Sequence, residues 1–300
     1  MDFNKFDESI GVEGYYRLIR DKFFPNSTPL SFDVATFRTE ERYYRKGTLF
    51  SRVRKLTKTD INRFLNGSVK LNDFYPPRPH IFNIPEGRFN AKNEATFYLA
   101  DHPFVAMKEC NISTGDYFLL SYFSLPKDMC FMHLEDNVDP LSSLLYRLLK
   151  AQDTRFYSVI NLVYSNLLKF EKHDGIAYDS IKVNKNHIEF DSWGKINSTT
   201  NLAISNQKIK SFKFELSWLM QCRDDYIPVQ QSIYYPTSNK KQKNITRLNY
   251  RDNKRKFISI SNKFSDKLLD ISKKNRLLTN NGILKIPHET PFKIVSKLDG

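Results

Sequence analysis

The chain has no run of eighteen or more consecutive apolar residues, so no segment reads as a membrane-spanning helix. Its first residues, MDFNKFDESIG, are polar and acidic where a secretory signal would be basic and then apolar. A cytoplasmic protein with no membrane partner is therefore expected. Cysteine is scarce. Cys110, Cys130 and Cys222 are widely spaced, odd in number and without a CxxC, which gives neither a disulfide framework nor the ligand spacing of a zinc site. The six histidines are equally scattered, with no HxxxH or HExxH pair, and no metal is expected. A GxSxG elbow for a serine nucleophile is missing, as are a GxxxxGK[ST] phosphate loop and a GxGxxG turn, so the common hydrolase and nucleotide-binding folds have no support.

What is present is a basic, globular composition. Three hundred residues allow one large or two ordinary domains, and a hydrophobic fraction of 40% is enough to fill a core. Forty-seven Lys and Arg against 33 Asp and Glu give a net charge of +14, which favours an anionic partner without choosing among nucleic acid, an acidic protein and a phosphorylated small molecule. The 24 Phe and 16 Tyr sit mainly inside apolar periodic segments rather than alternating with arginine, so base stacking is not indicated and direct nucleic-acid binding is not expected. Nothing in the composition decides between a monomer and a homo-oligomer.

In order along the chain, GYYRLIRDKFF carries one apolar helical face, and 31–46 reads as a second helix stopped by Gly47. Residues 1–46 are taken as a helical N-terminal extension. In the extended run that follows, Arg52 and Arg54 share one strand face while Val53 takes the other, making a guanidinium fork suited to phosphates. Residues 55–80 read as irregular, ending in the stiff YPPRPH loop. Residues 116–125 read as a central strand. Asp139-Pro140 caps a leucine-striped helix, 154–170 forms another, and 176–181, 201–204 and 212–220 read as strands. The basic run 238–256 reads as a mobile loop or docking surface, and a short helix is expected near 265–273.

The segment EGRFNAKNEATFYLADHPFVAMKEC, residues 86–110, concentrates the chemistry. It gives a Gly-Arg turn with Arg88, an aromatic strand with Tyr98, and a helix opened by Asp101 and Pro103 in which Glu109 shares a stripe with Val105 and Ala106. Taken alone, Glu109 reads as a helix-end carboxylate reaching water or pairing with Lys108 or a remote arginine. Taken with Arg52, Arg54, Arg88, Tyr98 and Ser180, it completes a set of arginine, aromatic, carboxylate and hydroxyl.

The succession GTLFSRVR, EGRFN, FYLAD, FVAMKEC, DGIAYDSIKV and TNLAI resembles the RES domain of bacterial toxin-antitoxin toxins, named for its Arg, Glu and Ser, over roughly 47–205. The resemblance implies an α+β, ADP-ribosyltransferase-like fold, a split mixed sheet flanked by helices, with extensions at 1–46 and 206–300. It also implies breakdown of NAD, as substrate rather than cofactor, by cleavage of the nicotinamide–ribose bond in a glycohydrolase or phosphorolase. An ADP-ribosyltransferase modifying a protein, or a catalytically silent basic binding module on the same scaffold, are the alternatives. The family's arginine, glutamate and serine correspond to Arg52, Glu109 and Ser180, its strand tyrosine to Tyr98 and its turn arginine to Arg88. Ser51 stands where the family tends to have an aromatic, which leaves Arg52 and Arg54 both open as the essential arginine. The implied roles are catalysis by Glu109, Arg52 and Ser180, and substrate binding by Arg52, Arg54, Arg88, Tyr98 and Ser180. A cognate antitoxin is the implied protein partner.

Overall fold

Twelve segments pair into a single mixed sheet in the computed structural model, which describes residues 1–136, 138–184, 193, 196, 198–209, 211–237, 244–274, 276–279 and 282–285. The strands are β1 (Glu40–Tyr44), β2 (Leu49–Lys55), β3 (Thr96–Ala100), β4 (Tyr117–Ser124), β5 (Met129–His133), β6 (Gly175–Asp179), β7 (Thr200–Ser205), β8 (Lys213–Cys222), β9 (Pro228–Pro236), β10 (Ile245–Asn249), β11 (Arg276–Thr279) and β12 (Gly282–Lys285). Their order is β10-β9-β8-β4-β2-β3-β7-β6-β5-β1-β11-β12. Among the described pairs only β5 and β6 run parallel. The helices are α1 (Gly11–Phe23), α2 (Lys58–Asn66), α3 (Pro103–Glu109), α4 (Pro140–Leu149), α5 (Phe156–Val163), α6 (Asn206–Ile209) and α7 (Lys254–Lys274). No helix among the described residues is long and apolar enough to cross a membrane.

The sheet has a seam. Strand β2 pairs with β4 from Leu49 to Lys55, but with β3 only at Ser51–Ala100. One face carries a core that crosses the seam, with Phe50, Phe97, Phe123, Phe131, Leu202 and Phe214 among its buried members. On the other face the alternate residues fall into two cores. Phe104, Leu120 and Trp218 lie in the first, where α3 and α7 pack. Tyr15, Leu145, Ile160, Met132 and Ile176 lie in the second, under α1, α4 and α5. Helix α3 follows directly from β3, so its far end reaches the boundary between them.

Local chemistry explains the elements the sequence predicts. Tyr15, Ile19 and Phe23, four apart, are the buried stripe of α1. Asp139 Oδ1 accepts from the backbone N–H of Leu141 and Ser142 at 3.0 and 2.8 Å, a cap that contributes about 1 kcal/mol, with Pro140 at the first helical position. Helix α5 runs on as a π-turn over Tyr164–Leu168, close to the predicted 154–170.

Three readings are corrected. The expected helix at 31–46 is instead an extended segment ending in β1, which pairs with β5 along its whole length. Its alternation sends Glu40, Arg42 and Tyr44 to one face, a pattern hidden by the helix-forming composition. Residues 58–66, within the supposedly irregular 55–80, form α2, capped by Thr57 accepting from Asp60 N at 3.2 Å, with Phe64 buried. The described part of the basic run, 244–256, contains β10 and the start of α7, whose lysines and arginines face outward while Phe257 is buried. Residues 238–243 of that run lie outside the described residues. The helix expected near 265–273 is the second half of α7. The stretches 1–46, 47–205 and 206–300 each contribute strands to the one sheet.

Candidate functional site

Helix α3 is fixed at its start and buried along its length. His102 Nδ1 accepts from Phe104 N at 3.2 Å, Pro103 follows the cap, and Phe104, Val105, Ala106 and Met107 are all buried. Rigid burial of that stripe determines where Glu109 ends up, two turns on. The period of two does the same from the sheet. In β6 and just beyond it, Ile176, Tyr178 and Ser180 share the face covered by α1, α4 and α5, while Ala177 and Asp179 take the other. In β7, Asn201 and Ala203 share that same face, and Tyr178 stands opposite Asn201 in the register.

Glu109 and Ser180, 71 residues apart, meet there. The Ser180 hydroxyl donates to Glu109 Oε1 at 2.7 Å, and Asn201 Nδ2 donates to the same oxygen at 3.2 Å. The serine is itself oriented, because its Oγ accepts from Lys182 N at 3.0 Å and so turns its proton toward the carboxylate. Glu109 Oε2 has no hydrogen bond from any described residue. Among the described residues, one oxygen is thus held by two donors and the other by none.

Cations and an aromatic ring surround this carboxylate. Lys182 Nζ bonds the carbonyls of Lys108 and Glu109 at 3.3 and 3.2 Å and Asn111 Oδ1 at 2.8 Å, closing the C-terminal end of α3, where a positive charge also meets the helix dipole favourably. Lys150 Nζ donates to Ser180 O at 3.2 Å. Burial pulls the Lys150 ammonium down from the usual lysine range, against the attraction of Asp179 and Glu109. Burial, followed by the nearby Glu109 charge, pushes the Tyr178 phenol well above its ordinary value, so it stays neutral. The depression lined by Leu134, Tyr146, Leu149, Lys150 and Tyr178 encloses about 10 Å³, room for about one water. A roomier hollow of about 280 Å³ lies at the other end of β3 and β7, lined by Thr96, Asn161 and Ser205 among others, and contains none of these groups.

The remaining predicted residues lie around this pair in different states. Arg88 is buried, donating to the carbonyls of Leu149 and Ala151 at 2.7 and 3.3 Å, with its guanidinium 5.5 Å from the Tyr157 ring centre and 5.9 Å from that of Tyr178. It clamps the Gly-Arg turn onto the end of α4. Tyr98 is pinned to the same turn, its hydroxyl accepting from Phe89 N at 2.8 Å and donating to Asn90 Oδ1 at 2.9 Å. A Cβ at Gly87 would come within 2.4 Å of Asn90 Oδ1 and displace the carboxamide that Tyr98 bonds.

Arg52 and Arg54 share a face, as the alternation predicts, but it is the face away from Glu109. Arg54 is paired with Asp60 at 3.0 Å and donates to Asp73 O at 2.9 Å. Arg52 donates to Phe74 O at 3.1 Å. Burial and the neighbouring Arg54 charge pull Arg52 down to about 10, which leaves it cationic at neutral pH. Cys110 stands between it and the carboxylate, interacting electrostatically with Arg52 and Glu109 and donating its thiol to Val53 O at 3.3 Å, beyond the last residue of β2 that pairs with β3. Burial pushes that thiol up to about 11, so it is protonated and a poor nucleophile.

Directly beneath, on the opposite face, lies a second polar cluster. Arg42 Nε bonds Glu40 Oε2 at 2.6 Å and its Nη1 bonds Thr200 Oγ1 at 2.8 Å. His133 Nδ1 is 3.2 Å from Glu40 and its Nε2 3.8 Å from Asp179, near enough for charge attraction but off the hydrogen-bond directions. Burial raises the carboxyl groups of Glu40 and Asp179, yet His133 and Arg42 outweigh it and hold both at about 2. Asp101 goes the other way. Burial lifts it to about 7 despite the hydroxyl of Ser198 and the charge of Arg42, and its Oδ1 has no described partner.

Asn201, Lys150 and Tyr178 were not singled out from the sequence. Asn201 carried a readable signal, a carboxamide inside the apolar strand TNLAI, whereas Lys150 follows a leucine-striped helix and looks like any surface lysine. A scan against protein-family models and searches of curated proteins and of solved structures return no match to this chain.

Proposed function

We propose that the protein is an NAD-consuming enzyme that cleaves the nicotinamide–ribose bond, built on an ADP-ribosyltransferase-like scaffold of the RES type. The observation that carries this reading is the asymmetry of Glu109. Ser180 and Asn201 fix its Oε1, and Oε2 has no hydrogen bond from the described residues. Cleavage of the glycosidic bond sends its electron pair out with neutral nicotinamide, so no strong general acid is needed, and the ribose passes through an oxocarbenium-like state. A carboxylate already oriented by two donors stabilises that developing charge, or holds the ribose hydroxyls, without reorganising during the reaction. The parting of the sheet between β2 and β3, with α3 delivering Glu109 at its edge, supports the split-sheet scaffold.

In this reading Lys150 and Lys182 supply positive charge beside the reacting centre, and Arg52, on the opposite face and bonded to Phe74 O, makes no direct contact with the dinucleotide. Arg88 and Tyr98 shape the wall through the turn they hold. Because the adjacent depression has room for about one water, the dinucleotide lies across open surface at Glu109 rather than inside a closed chamber. The acceptor is water or inorganic phosphate, and an antitoxin that covers Glu109 is the partner the reading requires; co-purification from the native operon with no bound partner would count against it.

The test is loss of NAD on incubation with the full chain, with and without phosphate, compared with Glu109→Gln. Consumption by the parent and near-absence in the variant is the expected result. Undiminished turnover by Glu109→Gln would remove the carboxylate from the mechanism, and ADP-ribose found on protein instead of free would reassign the acceptor.

A further inference from the structure

Sequence spacing gives no metal motif, yet the fold brings a thiol, an imidazole and a carboxylate together away from Glu109. Glu41 on β1, Cys130 on β5 and His173 in the turn before β6 each place one ligand atom within 4.8 Å of the other two. The register explains the meeting. Glu41 is opposite Met132 and Tyr43 opposite Cys130 in the β1–β5 ladder, so Glu41 and Cys130 are diagonal neighbours on one face. Asp174, next to His173 in the chain, holds Cys130 in place: its backbone N–H donates to Cys130 O at 2.7 Å and its Oδ2 accepts from Cys130 N at 2.9 Å. The His173 ring is fixed by Phe170, 6.0 Å away edge-on, and by a backbone bond from His173 N to Phe170 O at 3.1 Å.

We propose that Glu41, Cys130 and His173 form a binding site for a divalent zinc-type cation, which ties β1 to β5 and to the start of β6. Sulfur, nitrogen and oxygen together suit Zn²⁺, whereas Mg²⁺ and Ca²⁺ take oxygen ligands alone. With metal–ligand distances of roughly 2.0–2.3 Å, ligand atoms in a tetrahedral site stand roughly 3.3–3.8 Å apart, so the cluster contracts by about 1 Å on binding. His173 Nε2 already lies 3.3 Å from Glu41 Oε1, and its Nδ1 is buried without a hydrogen-bond partner among the described residues. The side chain is only 5% exposed, so the imidazole is held in one orientation.

Glu41 is not idle in this structure. It accepts from the Tyr43 hydroxyl at 2.6 Å and from Lys172 Nζ. Lys172 is 65% exposed, and a pair with so exposed a lysine is weak enough to give way to a divalent ion. The lysine swings into solvent and one cation replaces another at the carboxylate. Three protein ligands leave a fourth position for water, the arrangement of an accessible site rather than a closed structural one.

The experiment is titration of the purified, metal-stripped full chain with Zn²⁺ in competition with a chromophoric chelator, alongside Cys130→Ser, His173→Asn and, as a control, His80→Asn, an imidazole outside the cluster. One zinc per chain is expected, with affinity falling at least tenfold in each of the first two variants and unchanged in the third. Should either variant fail to fold, Co²⁺ added to the parent protein gives a readout of its own, a thiolate-to-cobalt charge-transfer absorption that persists when Cys110 and Cys222, the other two free cysteines, are replaced by serine. No saturable zinc binding, equal affinity in all variants, or cobalt binding without the thiolate band would overturn the site.

Discussion

Two polar clusters lie back to back across the ends of β6 and β7, built from neighbouring residues. Asp179 and Thr200 point to one face and join Glu40, Arg42 and His133; Ser180 and Asn201 point to the other and hold Glu109. The first cluster is closed. Its charges are compensated, and the Arg42 and Glu40 side chains are only 14% and 6% exposed. The second is open on one side, since among the described residues its carboxylate is bonded through one oxygen only. Buried charge that is fully paired holds a fold in one register, and charge that is oriented but incompletely paired is poised for a ligand.

The largest effect should come from breaking the closed cluster. Arg42→Ala strands the buried Glu40 carboxylate and is expected to cost about 3–5 kcal/mol in urea unfolding at neutral pH. A loss below about 1 kcal/mol, the scale of an exposed pair, would mean the cluster is solvated and the contrast is false. Glu109→Gln should do the reverse, lowering NAD turnover about 100–1000-fold while leaving the unfolding midpoint nearly unchanged. A matching fall in stability would make Glu109 a structural residue.

Asp101 sharpens the comparison through pH. Its folded value of about 7 lies above its ordinary 3.8, so between these limits the native state holds a proton that the unfolded chain has released. Stability is therefore lost as pH rises through this window. Asp101→Asn should gain about 1–3 kcal/mol over the parent at pH 8 and nothing at pH 4; parallel profiles would show that Asp101 ionises freely. The smallest effect is expected from Asn201→Ala, which removes one of the two donors on Glu109 Oε1. Turnover should drop about tenfold, the loss of one charge-assisted hydrogen bond, with kcat affected more than KM. A change in KM alone would place Asn201 in binding rather than in orienting the carboxylate.

Much of the scaffold was legible along the chain. Helices α1, α4 and α5 declared themselves through four-residue apolar spacing and, in α4, a cap followed by proline; β3, β4, β6, β7 and β8 did so through alternation or continuous apolar character. Strand β1 did not, because EERYY is composed of residues that suit a helix equally well and only pairing with β5 selects the extended form. Strand β10 and the start of α7 were masked by lysines and arginines whose apolar partners, Leu248 and Phe257, are few. In the site, Glu109 was legible as a carboxylate on an apolar helical stripe, whereas Ser180 was marked only as a hydroxyl on a late strand and by the resemblance. The orientation of the arginines was legible too, as a shared strand face, but not which side of the sheet that face would occupy.

The sequence by itself determined the local periods: where α3 begins, that Glu109 lies two turns along it, that Arg52 and Arg54 face one way and Val53 the other. These are short-range consequences of backbone geometry, and a dozen residues contain all the information. Only the tertiary structure decided that Ser180 and Asn201 converge on one oxygen of Glu109, that Arg54 and Arg88 are engaged with Asp60 and with the end of α4, and that Glu41, Cys130 and His173 meet at all. The convergence on Glu109 depends on β7 pairing with both β3 and β6, and that of Glu41, Cys130 and His173 on the order β1-β5-β6; strand order is set by the burial of whole faces, which no local pattern encodes.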